Sequence, residues 1–187
     1  MHKAIILSFT LFFLSISFLM SNYTYSNNSN DNQLNYYDSL YNQSVLHIKD
    51  NKVEKSIILL TEVISKQRSY KKEDDILIMN AHYDLGQIYL SRISNYDKAV
   101  TQFEHIFNNV YAGYESENIN SKMRSLLDLK EKSLFMLGYI YHNHIGNFTI
   151  AQNYYSTFLN KFPENELSTS VKYELDIINR EIKDFNK

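Results

Sequence analysis

Apolar side chains through most of this chain recur every three or four residues. Val171, Leu175, Ile178, Ile182 and Phe185 follow one another at spacings of four, three, four and three, which lines them up along one stripe of a helix at about 3.6 residues per turn. Helices are expected near Leu34 to Asp50, Val53 to Gln67, Glu73 to Arg92, Tyr96 to Asn108, Ser121 to His144, Phe148 to Asn160 and Leu167 to Phe185. Gly86, Gly113, Gly138, Gly146 and Pro163 are all the glycine and proline in the chain, too little turn chemistry for a sheet-rich domain. Pro163 lacks a backbone donor and disfavours helix at the residue before it, so it ends a helix at Phe162, with Asn165 and Ser168 as candidate caps for the next. The expected class is all-α, long helices joined by short corners.

Three of the expected helices align with one another. Tyr96, Ala99, Phe103 and Phe107 recur as Phe148, Ala151, Tyr155 and Leu159, and as Val53, Ser56, Leu60 and Ile64. Upstream, Leu85-Gly86 followed by Tyr89 is matched by Leu137-Gly138 followed by Tyr141, with Asn42-Gln43 and Leu46 in the corresponding place of the first segment. Glycine inside a helix costs about 1 kcal/mol against alanine, so two glycines on one slot need a reason. Close approach of a second helix, expected through Ala99 and Ala151 with Tyr89 and Tyr141 filling the volume beside them, supplies it.

A Leu-Gly pair, a Tyr three residues after the Gly, then an Ala, an aromatic four residues on and a closing Pro resemble the tetratricopeptide repeat. The resemblance covers roughly Tyr37 to Pro163, with each turn one residue longer than usual and Asn108 to Asn120 inserted between units. It implies antiparallel helix-turn-helix repeats, stacked in a short right-handed solenoid with a C-terminal capping helix. Units fall at about 34–67, 73–108 and 121–163, with the cap at 167–185. Because single repeats cannot bury their faces, three units and a cap are near the minimum for a stable stack.

In the family, the first helices of successive units line a concave groove that receives a peptide or a partner's helix. Carried over one by one, that surface takes Tyr37, Leu40, Ser44 and His47 from the first unit and Asn80, Tyr83, Gln87 and Ser91 from the second. The third gives Lys132, Phe135, Tyr139, His142 and Asn143. Tyrosine suits such a surface, since its ring buries a large area at low entropy cost, and the chain has 16 of them. Ordinary packing is the competing explanation for several of these rings. The basic clamp that some family members use for C-terminal carboxylates is not reproduced. Tyr111, Gly113 and Tyr114 in the insertion offer a second contact site or a tolerated loop.

The N-terminus changes the picture. Lys3 is followed by 17 residues, Ala4 to Met20, without a charge, a helix of about 26 Å at 1.5 Å per residue and just short of a bilayer core. Residues 1–26 therefore read as a signal peptide, cut near Thr24-Tyr25-Ser26, or as an N-terminal membrane anchor. With Lys3 before the run and no further lysine until Lys49, the remainder is expected to cross the membrane. From Asn22 to Gln33 the chain is rich in Asn and Ser with little to bury, and 27–33 reads as a tether.

Charge and chemistry narrow the function. A net charge of −2 spread over 19 basic and 21 acidic side chains leaves no basic block for nucleic acid. The chain has no cysteine, hence no disulfide framework and no thiolate chemistry. His142 and His144 point about 200° apart on a helix and chelate one ion only if the helix has already ended. Glu104-His105 and Asp74-Asp75 diverge on their helix faces, with no third group to organise catalysis. No phosphate loop, metalloprotease motif or nucleophile elbow is present. The expectation is a non-enzymatic scaffold, without cofactor or metal, that binds an envelope protein or peptide in the periplasm or at the outer face of the cytoplasmic membrane. The alternative is an architectural subunit of an envelope machine that self-associates.

Overall fold

In a computed structural model of the protein, residues 32–70, 76–110 and 121–185 are described. The expected leader, nearly all of the tether, Asp74-Asp75 and the insertion's Tyr111, Gly113 and Tyr114 lie outside the described residues. The described chain is helical, with no strand among its residues. The helices are α1, Asn32–Lys49; α2, Val53–Tyr70; α3, Ile76–Ile88; α4, Tyr96–Asn109; α5, Ser121–Ile140; α6, Phe148–Lys161; and α7, Ser168–Phe185. Neighbours pack in succession from α2 to α7, and α3 also lies against α5. This is a helical repeat stack. No helix among the described residues is long and apolar enough to cross a membrane.

Three corners share one backbone plan. Asn51, Ser94 and Gly146 each take a left-handed conformation, with φ of 58°, 56° and 73°, a shape that Gly and Asn adopt most easily. Each stands two residues before the next helix. In the second and third units the extra turn residue is absorbed by a π-helical widening, Tyr89–Ile93 after α3 and Tyr141–Ile145 after α5. There the N–H of Asn95 reaches back to the Tyr89 carbonyl at 2.8 Å, and that of Asn147 to Tyr141 at 2.9 Å. Asn95 and Asn147 then cap the following helices, their side-chain oxygens accepting from Lys98 N–H at 3.0 Å and Ile150 N–H at 3.1 Å. The first corner is one residue tighter, with Lys52 N–H bonded to the His47 carbonyl at 2.8 Å.

That difference corrects the alignment of the first unit. Counted back from the left-handed residue, Gly86 and Gly138 stand eight positions upstream, but without the π widening the matching slot is seven upstream, at Ser44 and not Gln43. Burial agrees: Ser44 is fully buried, whereas Asn42 and Gln43 are exposed and Leu46 is 58% exposed.

The glycine slots are filled by aromatic rings. A Cβ on Gly86 would stand 2.7 Å from Cζ of Phe103, and one on Gly138 would stand 2.5 Å from Cε1 of Tyr155. The close approach expected through Ala99 and Ala151 is thus made by the ring one turn further on, with both alanines fully buried beside it. The rings nearest the glycines are not those of Tyr89 and Tyr141. Tyr89 lies under the Lys98 ammonium, 5.3 Å from the ring centre, and Tyr141 stacks on Tyr154 of α6 at 5.7 Å. At the other end of the third unit Asn165 accepts the Leu167 N–H at 2.8 Å, and the Ser168 hydroxyl donates to the Phe162 carbonyl at 2.7 Å. The helix expected to end at Asn108 runs one residue into the expected insertion, to Asn109, and Val110 after it is buried.

Candidate functional site

The surface expected to receive a partner is built on α1, α3 and α5. Since α3 and α5 pack directly together, their faces adjoin. The Tyr41 hydroxyl of α1 donates to the buried Asp84 carboxylate of α3 at 2.9 Å, and Leu40 joins Leu60, Val63, Ala81, Leu85 and Ile88 in one core cluster. Burial, opposed by the Tyr41 hydrogen bond, pushes Asp84 up to about 7.

From α1, Tyr37 is half-buried against that cluster, its ring edge-on to Tyr36 at 5.3 Å. His47 is half-buried at the first corner, and Leu40 and Ser44 are buried. From α3, Asn80 and Gln87 are half-buried, and Ser91 in the π turn that follows is exposed. From α5, Lys132 is half-buried and paired with Asp128 at 2.7 Å, and Tyr139 is half-buried, with Asn143 exposed one turn later. The Asn143 amide donates to the Tyr139 carbonyl at 3.1 Å.

Besides Leu40 and Ser44, three of the expected contact residues lie below this surface. Tyr83 is 2% exposed, its ring edge-on to Phe103 at 5.6 Å and its hydroxyl accepting from Gln87 at 3.1 Å. Phe135 is 4% exposed and tilted onto Tyr155 at 6.1 Å. Each stands three residues before its glycine, so it points at the ring that fills the glycine slot and serves as core. The His142 side chain is 8% exposed and occupied by carboxylates of α7.

What remains at least partly exposed is Tyr37 and His47 from the first unit, Asn80, Gln87 and Ser91 from the second, and Lys132, paired with Asp128, Tyr139 and Asn143 from the third. Tyr139 is the aromatic centre. Its ring meets His144 edge-on at 5.3 Å, and His144 stacks on Tyr96 at 4.4 Å, joining α5 to α4. Burial, then the Glu174 charge, pushes the Tyr139 phenol upward, so it stays a neutral donor and acceptor.

Several joints were not legible in the spacing. Tyr154 of α6 donates to Glu104 of α4 at 2.9 Å, and Asn165 donates to Glu131 of α5 at 2.6 Å. Burial, then Asp128, lifts Glu131 to about 7. His82 of α3 stacks on His105 of α4 at 3.9 Å, and burial, then the neighbouring ring, lowers it to about 4. These partners are 23 to 50 residues apart, beyond any local motif.

The family model described as tetratricopeptide repeat matches residues 132–165. The matched stretch runs from Lys132 on α5 through α6 to Asn165, just past Pro163. No curated protein and no solved structure matches the chain.

Proposed function

Taking as premise that this chain is a tetratricopeptide-like repeat protein, we propose that it is a non-enzymatic scaffold that holds a segment of an envelope protein against α3 and α5. Repeats of this kind are protein-binding frames. The observation that carries the reading is that Asn80 and Gln87 of α3 and Tyr139 and Asn143 of α5 and its closing turn stay at least partly exposed on two helices that pack directly together. Amides and a neutral phenol offer donors and acceptors suited to an extended backbone, and the ring supplies area. The location outside the cytoplasm rests on the uncharged run Ala4 to Met20 behind Lys3.

The test is crosslinking and pull-down from cells, comparing the full chain with a Gln87→Ala, Tyr139→Ala, Asn143→Ala variant, which spares the buried Tyr83 and Phe135. Capture of an envelope protein, reduced at least about tenfold in the variant, is the expected result; three modest contacts of about 0.5–1.5 kcal/mol each amount to that much. Capture unchanged by the substitutions contradicts these residues as the contact surface. A second reading, an architectural subunit that self-associates, is favoured by Leu46 and Ile58 of the first unit, 58% and 65% exposed. Crosslinks only to copies of the chain select it.

A further inference from the structure

His142 sits in the π-helical turn that ends α5, and its ring is gripped on both sides by one helix. Nδ1 lies 3.0 Å from the Glu174 carboxylate and Nε2 lies 3.1 Å from the Glu181 carboxylate, both on α7. Glu174 and Glu181 are seven residues apart, two helical turns, which places them on the same face. The ring and Glu174 are nearly sealed, at 8% and 6% side-chain exposure, while Glu181 is 43% exposed.

With both carboxylates ionised, only the imidazolium satisfies this geometry. A neutral imidazole has one N–H and one lone pair, so one of the two carboxylates would then face a lone pair at about hydrogen-bond distance. Protonated, the ring donates to both and neutralises the buried Glu174. Among the described residues no lysine or arginine pairs with Glu174, and Arg180 of α7 is engaged with Asp176 at 2.8 Å.

The surroundings agree. From α6, Phe148 meets the His142 ring edge-on at 5.8 Å, and the buried Tyr155 feels the Glu174 charge. From α5, Tyr139 feels the same charge. His144, two residues on, turns instead to Tyr96 and Tyr139, and burial lowers its affinity for protons. Burial by itself would also lower His142, but the hydrogen bonds and charges of Glu174 and Glu181 outweigh it, and the net shift is upward. At the same joint Asn165, just before α7, is tied to Glu131 of α5.

We propose that His142, Glu174 and Glu181 form a proton-operated latch that fastens α7 to the third repeat and releases it when the ring loses its proton. A group whose affinity for protons is raised by folding stabilises the docked state fully below its unfolded pKa, about 6.5 for histidine, and that stabilisation is lost as pH rises through the folded value. The latch is therefore closed in mild acid and loosens as the pH rises through the raised His142 value. Release uncovers the Val171 and Ile178 side of α7, buried when docked. This inference does not depend on which partner the face on α3 and α5 binds.

The test uses the full chain alone. Ring nitrogen NMR follows His142, and hydrogen-exchange protection, corrected for the intrinsic rate, compares α7 with α6 from pH 6 to 8.5. The expected result is a His142 ring doubly protonated at pH 6.5, titrating above ordinary histidine. Protection of α7 then falls about tenfold relative to α6 for each unit by which the folded value exceeds the unfolded one. Glu181→Gln, at a half-exposed site, moves both midpoints to lower pH. His142→Gln flattens the α7 curve, and His144→Gln leaves it as in the native chain. A His142 that titrates at or below the ordinary value, α7 and α6 losing protection in parallel, or a His142→Gln chain that keeps the native pH dependence each overturns the latch. Glu181→Gln reports even where His142→Gln does not fold.

Discussion

Gly138 and Gly146 are eight residues apart and have opposite reasons for being glycine. Gly138 has an unstrained helical backbone but no room, with the Tyr155 ring within 2.5 Å of where a Cβ would be; Gly146 has nothing within 4 Å but a φ of 73°. Tyr155 is fully buried and cannot swing aside, so overpacking of about 1–3 kcal/mol is offset only in part by alanine's helix propensity. Gly138→Ala is accordingly expected to lower stability by about 1–2 kcal/mol in urea denaturation. Gly146→Asn is expected to change it by less than about 0.5 kcal/mol, because asparagine tolerates the left-handed shape and Asn51 already holds the equivalent corner. The reverse order would mean that the rings, not the backbone, are the adaptable part. The glycine slot was legible in the sequence because a mid-helix glycine needs a reason. The occupant was not, because Ala99 and Phe103, like Ala151 and Tyr155, lie on the same helical face and spacing does not say which one reaches across.

At the scale of elements, the periodic stripes located every helix to within a few residues, since burial of one face is what makes each helix form. The corners were less legible. The extra residue in the second and third turns was visible in the alignment, but its accommodation as π widening was not, and its absence from the first turn shifted that unit's register by one. Asn95 and Asn147 do the same work at the two long corners, each accepting a backbone N–H of the next helix. Replacing either with alanine is expected to cost about 1 kcal/mol, read as a lower urea midpoint with an unchanged denaturant slope. A change under about 0.3 kcal/mol would mean that the left-handed residue before it already sets the corner.

For the whole molecule, partial exposure matters more than residue type. The aromatic residues that looked most like contacts, Tyr83 and Phe135, are core, because a periodicity of three and four marks a face without saying how deep it lies. His142 was read as part of the groove, and its partners 32 and 39 residues away were out of reach of local pattern. Tyr139 and Asn143 keep the partial exposure that Tyr83 and Phe135 lack, and the proposed contact face is centred on them. A photo-crosslinking side chain placed at Asn143, and separately at the exposed Thr101 of α4, tests directly whether that face receives a partner. The account predicts an envelope protein captured from Asn143 and not from Thr101; capture from Thr101 alone, or equally from both, would contradict it.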